Sequence, residues 1–88
     1  MQIGLGSVVQ ATAGRDSGKT FVVVEIVDEY YVKISDGDTR PLIKAKLKKL
    51  KHLKANGDVL TKLADKFKEN KQVFDAEICS ALRVYNQK

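Results

Sequence analysis

Thr20-Phe21-Val22-Val23-Val24-Glu25-Ile26-Val27 is the stretch on which the fold turns. It is almost entirely β-branched and aromatic, the chemistry that suits a pleated, packed surface, and it predicts a strand. Directly before it, Gly14-Arg15-Asp16-Ser17-Gly18-Lys19 has a glycine near each end and reads as a loop. Before that, Ser7-Val8-Val9-Gln10-Ala11-Thr12-Ala13 is β-branched and small and stops at Gly14, which predicts an earlier strand.

Downstream the alternation continues. Asp28-Glu29 reads as a tight polar turn. Tyr30-Tyr31-Val32-Lys33-Ile34-Ser35 follows, with Tyr30, Val32 and Ile34 expected on one face. Asp36-Gly37 is a hairpin signal, because glycine tolerates the positive φ such turns require. Asp38-Thr39-Arg40-Pro41-Leu42-Ile43 is then expected to return as an antiparallel partner. Pro41 has no N–H, so that strand should lie at an edge or end there. Short strands joined by tight turns predict a small antiparallel barrel or sandwich.

From Lys44 to Lys54 the pattern is ambiguous. Ile43, Leu47, Leu50 and Leu53 recur at helix-compatible spacing, with Lys44, Lys46, Lys48, Lys49, Lys51 and Lys54 between them. A basic amphipathic helix fits, and so does a loop followed by a last strand around Lys51-His52-Leu53-Lys54. Asn56-Gly57 breaks the pattern. Asp58 suits an N-cap, since its carboxylate can accept from free N–H groups of a first turn. Leu60, Leu63, Ala64 and Phe67 form one apolar stripe, and Glu69-Asn70-Lys71 ends it. Asp75 is placed to cap a second helix with Phe74, Ile78, Leu82 and Tyr85 in line. Isolated helices this short are marginal in water, so the stripes should pack on the strands or on each other. The expected organisation is therefore a mainly β domain over 1–55 with a helical C-terminal appendage over 56–88, packed on it.

At 88 residues the chain is one small domain with a limited core and little room for a catalytic cleft. Its formal charge of +5 favours acidic partners, nucleic acid first among them. The single cysteine, Cys79, cannot form an internal disulfide, which fits a reducing compartment. With His52 it falls short of the ligand set of a structural zinc site. Met1 to Gly6 shows no basic patch leading an apolar run, and no stretch is long and apolar enough to cross a bilayer. The expectation is a cytoplasmic protein that is not an enzyme and uses no cofactor.

The segment Gly6-Ser7-Val8-Val9, then Gly14-Arg15-Asp16-Ser17-Gly18-Lys19, resembles the KOW motif, in which a strand led by glycine runs into a glycine-rich basic loop and a second strand. The resemblance continues through Val22-Val23-Val24, Tyr31-Val32 and Asp36-Gly37 to Arg40 and the lysine-rich stretch ending Lys51-His52-Leu53. The chain is similar to the eukaryotic-type large-subunit ribosomal protein families fourteen, six and twenty-seven and their bacterial relatives, described as KOW-domain RNA-binding proteins. That resemblance implies a five-stranded barrel of the Src-homology-3 kind and resolves Lys44 to Lys54 towards loop plus final strand. It also implies RNA as ligand, ribosomal RNA first, with the ribosome or other translation proteins as further partners. The tail after Asn56 carries no such resemblance.

The loop's chemistry agrees. Gly14 and Gly18 let backbone N–H groups approach a phosphate closely. Arg15 offers a planar, multi-donor guanidinium, and Lys19 adds a point charge at the loop exit. The competing reading is a plain turn in which Asp16 neutralises Arg15 or Lys19. Arg40, Lys44, Lys46, Lys48, Lys49, Lys51 and Lys54 form a second basic run without an acid, suited to a polyanion. Its competing reading is a solvated face that keeps the protein soluble and guards a strand edge. The neighbouring tyrosines point to opposite faces of a strand, so one should be core; for the other, Tyr31, the two readings are stacking on an unpaired base and simply covering the barrel surface.

Gly14-Arg15-Asp16-Ser17-Gly18-Lys19-Thr20 also looks like a P-loop, but only three residues separate its glycines and a strand follows where a P-loop opens a helix. Two other function classes stay in view. One is a protein-interaction module of the transcription or translation machinery, docking through the apolar tail. The other is a membrane-surface or calmodulin-type basic helix over Ile43 to Lys54.

Overall fold

The computed structural model describes residues 3–15 and 17–86, the side chain of residue 86 excepted. Asp16, and with it the proposed neutralisation of Arg15 or Lys19, lies outside the described residues.

The strands are β1 (Ser7–Ala11), β2 (Thr20–Ile26), β3 (Tyr31–Ser35), β4 (Lys46–Lys49) and β5 (Leu53–Val59). They form one five-stranded sheet in the order β4-β3-β2-β1-β5, antiparallel at every pairing. Two helices follow, α1 (Thr61–Lys68) and α2 (Asp75–Asn86). A mainly β domain with an α tail is what the alternation and the later helical spacing predict.

The apolar run in β2 is uninterrupted because both of its faces are covered. Phe21 and Val23 point into one cluster with Val9, Ala11, Val32, Ile34 and Leu53. Val22 points the other way and joins Val8 with Leu63, Ile78 and Leu82 from the helices. A strand buried on both sides has no position for a polar residue, hence Phe-Val-Val-Val in place of alternation.

The sheet is strongly curled. Leu50 donates its N–H to the Tyr30 carbonyl at 2.8 Å, and His52, two residues on, accepts from Thr12 N–H at 2.9 Å. Tyr30 leads β3 and Thr12 follows β1, strands that a flat sheet would hold about 10 Å apart. Register shifts at Val23/Glu25 and Ser7/Val9 supply bulges, which bend strands and raise their twist.

Several expectations are corrected here. Residues 38–43 form no strand. The Asp36 carboxylate gathers Asp38 N–H at 2.9 Å, Arg40 N–H at 2.8 Å and the Thr39 hydroxyl at 2.6 Å, closing a compact loop. A 3-10 turn, Leu42–Lys44, then delivers the chain to β4. The 44–54 region is no basic helix, and of the loop-plus-last-strand reading the last strand holds, from Leu53, while a further strand stands where that reading puts the loop. The region comprises β4, a 3-10 turn at Leu50–His52, and the start of β5, so the basic-helix reading of Ile43 to Lys54 falls.

Asn56-Gly57 lies inside β5, which runs to Val59, so the helical part opens at Thr61 and not at 56. Asp58 is not a cap, because its Oδ2 accepts from the Tyr85 hydroxyl at 2.7 Å. The residue before α1 is Leu60, with no side-chain cap. Asp75 lies inside α2, and its carboxylate takes the Leu42 N–H at 2.7 Å. Glu77 reaches back to Phe74 N–H instead, half of a capping box. Ile78 and Leu82 are buried as the stripe predicts, but Phe74 is exposed.

Gly37 shows how closely the helical layer packs on the sheet. Its φ is +75°, and a Cβ there would run into the Asp75 carbonyl and lie 2.9 Å from Cys79 N, in the first turns of α2. Lys66 and Glu77 pair at 2.6 Å and tie α1 to α2.

Candidate nucleic-acid interface

The β1–β2 loop is built on β1. Gly18 N–H donates to the Ala11 carbonyl at 2.9 Å, Ala11 N–H to the Lys19 carbonyl at 3.1 Å, and Ser17 N–H to the Gly14 carbonyl at 3.2 Å. Gly14 and Gly18 both hold positive φ, at +82° and +88°, which is why glycine stands at both ends. Gln10, on β1, donates from its side chain to the Gly18 carbonyl at 3.0 Å. Arg15 and Lys19 are exposed on this braced loop.

A lysine from the far edge of the sheet supports it. Lys48 is only 9 % exposed, and its Nζ donates to the Ala13 carbonyl at 3.2 Å. The ammonium sits 3.4 Å from where a Gly14 Cβ would be. Lys48 stands on β4 and Ala13 follows β1, so only the curl of the sheet brings them together. Lys54 on β5 is opposite Gln10 in register, and both are exposed, which sets its charge beside the same loop. Lys51 occupies the 3-10 turn that touches Thr12 through His52. Arg15 and Lys19 are thus on the loop, Lys48 reaches it directly, Lys54 is in register with the Gln10 that braces it, and Lys51 is one residue from the His52 that meets Thr12.

The other basic residues of the run have different surroundings. Tyr31 and Lys49 are paired across β3 and β4, with the Lys49 Nζ 5.9 Å from the Tyr31 ring centroid, a cation–π contact. Lys46 is opposite Ile34 in register and half-buried, on the same side as Lys48. Arg40 and Lys44 belong to the β3–β4 connection, which Leu42 fastens to α2 through Asp75.

The tyrosines are placed against expectation. Tyr30 is not core: it precedes β3 and is 66 % exposed, while Tyr31 is half-buried. The cause is Asp28, whose Oδ1 accepts from the N–H groups of Tyr30 at 2.8 Å and Tyr31 at 2.9 Å. That Asx turn breaks the alternation before it reaches Tyr30. Between this turn and the Leu50–His52 turn lies an open cleft of about 500 Å³, lined by Glu29, Tyr30, Tyr31, Lys49, Leu50 and Lys51. Sequence reasoning missed Glu29, Tyr30, Leu50 and the bracing role of Gln10. Only Asp28, a residue type that hydrogen-bonds its own backbone two residues on, signals the turn.

Among the described residues no group of His, Cys, Asp and Glu is arranged to hold a metal ion, and no helix is long and apolar enough to cross a membrane. His52 contributes its carbonyl to Thr12, and Cys79 is half-buried on α2. No protein-family model matches the chain, and no curated protein matches it.

Proposed function

We propose that this protein is an RNA-binding module of the KOW kind, its curled sheet an Src-homology-3-like barrel, and that it grips the sugar–phosphate backbone of structured RNA. The observation that carries the reading is the Lys48–Ala13 hydrogen bond. It fastens the loop bearing Arg15 and Lys19 to β4, with Lys54 in register with Gln10 at the base of that loop and Lys51 in the turn that meets Thr12, an arrangement suited to facing a polyanion from one support. Preformed cationic surfaces bind phosphate chains with release of condensed counterions, and this needs no sequence readout. Double-stranded RNA is read in that way, by shape and backbone. Ribosomal RNA is the first candidate target, with translation proteins as neighbours in the assembly, and the cytoplasm as the compartment.

The test is a titration of an RNA hairpin at several salt concentrations. Reversing both loop charges, Arg15→Glu with Lys19→Glu, should weaken binding. It should also lower the slope of log affinity against log salt by about 2, roughly one for each phosphate no longer neutralised. Reversing Lys44, on the connection near α2, should change both much less. Equal losses at the two places would mean that net charge alone is being measured, and an unchanged double variant would remove the loop from the mechanism.

A further inference from the structure

We propose that the Tyr30 cleft is a pocket for one unpaired nucleotide with a preference for guanine, so that the favoured RNA is a duplex carrying an unpaired G beside the phosphates held by the β1–β2 loop. The inference rests on the RNA-binding reading above and adds a base-recognition site to it.

The first argument is preorganisation. An exposed tyrosine is ordinary in itself. Tyr30 differs because its backbone is held at both ends: its N–H by the Asp28 carboxylate and its carbonyl by Leu50 N–H. The ring is thus carried on a rigid turn and offers a π-face to solvent with little backbone entropy left to lose. Aromatic faces held this way are where unpaired bases stack. Tyr31 is less available, with Lys49 over its ring.

The second argument is charge. Lys49 and Lys51 line the cleft and suit the phosphates on either side of a flipped-out nucleotide. Lys51 belongs to the same 3-10 turn that meets Thr12 through His52, so the strand leaving the cleft leads directly to the phosphate-binding loop. The cleft volume of about 500 Å³ falls within the range of small-ligand sites, about 300–1,000 Å³.

The third argument is Glu29, an anion in a site for an anionic polymer. Among the described residues none donates to its carboxylate. An ionised carboxylate only accepts hydrogen bonds. Guanine presents two adjacent donors, N1–H and the N2 amino group, on its Watson–Crick edge, and a carboxylate can take both. Adenine and cytosine each set one amino group beside a ring-nitrogen acceptor, and uracil flanks its one N–H with carbonyls, so each meets the carboxylate with repulsion as well as attraction. Glu29, in the lining of the cleft, therefore selects guanine.

The experiment uses the full chain and one RNA hairpin in two forms, blunt and with a single unpaired 3′ nucleotide that is G, A, C or U. The unpaired G should tighten binding about tenfold over the blunt form, the order expected for one base on one aromatic ring. Tyr30→Ala should abolish that gain and leave blunt-hairpin affinity unchanged, while Tyr30→Phe should keep it. Glu29→Gln should keep a gain but lose the preference for G. The proposal is overturned if the overhang adds nothing, or if Tyr30→Ala weakens both forms equally. So long as the unsubstituted protein binds the blunt hairpin, either result leaves the phosphate-binding reading standing. If neither form binds even in dilute salt, both readings fall together. A proline-rich peptide that shifts the Tyr30 and Leu50 amide resonances where the overhang does not would also overturn it, in favour of a protein ligand.

Discussion

The two faces of the sheet are both buried, but by different means. One is closed by the sheet's own curl, with Val9, Phe21, Val23, Val32, Ile34 and Leu53 all drawn from the strands. The other is closed by the helices, whose Leu63, Ile78 and Leu82 cover Val8 and Val22. The helical tail therefore covers one face of the sheet and is no mere attachment to it. A chain this short buries a limited fraction of its surface, and a sheet with one bare apolar face would be marginal.

The largest effects should come from the two cores themselves. Phe21→Ala on the inner face is expected to cost about 3–5 kcal/mol, and Ile78→Ala on the helical face about 2–5 kcal/mol, through reduced burial plus the cavity left behind. Denaturant titrations measure both. If Ile78→Ala cost only a few tenths of a kcal/mol, the helices would be an appendage after all and the second face would not count as core.

Two glycines probe how firmly the layers meet. Both Gly37 and Gly57 have positive φ, so alanine is strained at either. Gly37 faces the first turns of α2, whereas nothing lies near a Cβ at Gly57. Gly37→Ala should therefore cost about 1–3 kcal/mol more than Gly57→Ala, the usual penalty of overpacking. Equal costs, again by denaturant titration, would mean that α2 yields freely.

A smaller effect belongs to the loop between β3 and the helical face. Burial pushes the Asp36 carboxyl up, but the Thr39 hydroxyl and the N–H groups of Arg40 and Asp38 outweigh it and hold its pKa below the ordinary value. A carboxyl whose pKa falls on folding stabilises the fold above its unfolded-state pKa. That contribution disappears as the pH falls through the folded-state value. Asp36→Asn should cost about 1 kcal/mol at neutral pH and flatten the acid limb of the stability profile. An unchanged acid limb would discount the loop.

The smallest expected effects on stability lie side by side on β4. Lys48→Met should shift stability by about 1 kcal/mol or less, the worth of one hydrogen bond, yet weaken RNA binding by loosening the loop. Lys49→Met, which removes the exposed cation–π interaction and one cation of the Tyr30 cleft, should shift stability by about 0.5–1 kcal/mol. Matching affinities of the two variants for a blunt RNA hairpin, which leaves the Tyr30 cleft empty, would deny Lys48 its bracing role.

Much of the fold is legible along the chain. β-branched runs mark β1 and β2, Asp36-Gly37 marks a turn, and the Leu60, Leu63, Ala64, Phe67 stripe marks α1. These are local signals, set by backbone sterics and side-chain period. The misplacements share one cause. Asp28, Asp36, Asp58 and Asp75 are all of a residue type that commonly caps helices or turns the chain, and type does not say which donor each will meet. Asp58 finds the Tyr85 hydroxyl and Asp75 the Leu42 N–H, partners far off in sequence. The candidate site was legible as the loop Gly14 to Lys19 and a run of lysines, but not as a constellation.

Order along the chain was enough to establish a β-rich domain with a positive surplus, glycines where the loop needs positive φ, and two amphipathic helices to follow. Period and propensity act over a few residues and are written locally. Which lysine is buried and which is free, which tyrosine faces water, and which charges share a surface were decided by the curl of the sheet. That curl carries β4 back towards the end of β1. It arises from the summed twist of all the strands and the packing of both faces, and no single segment contains it.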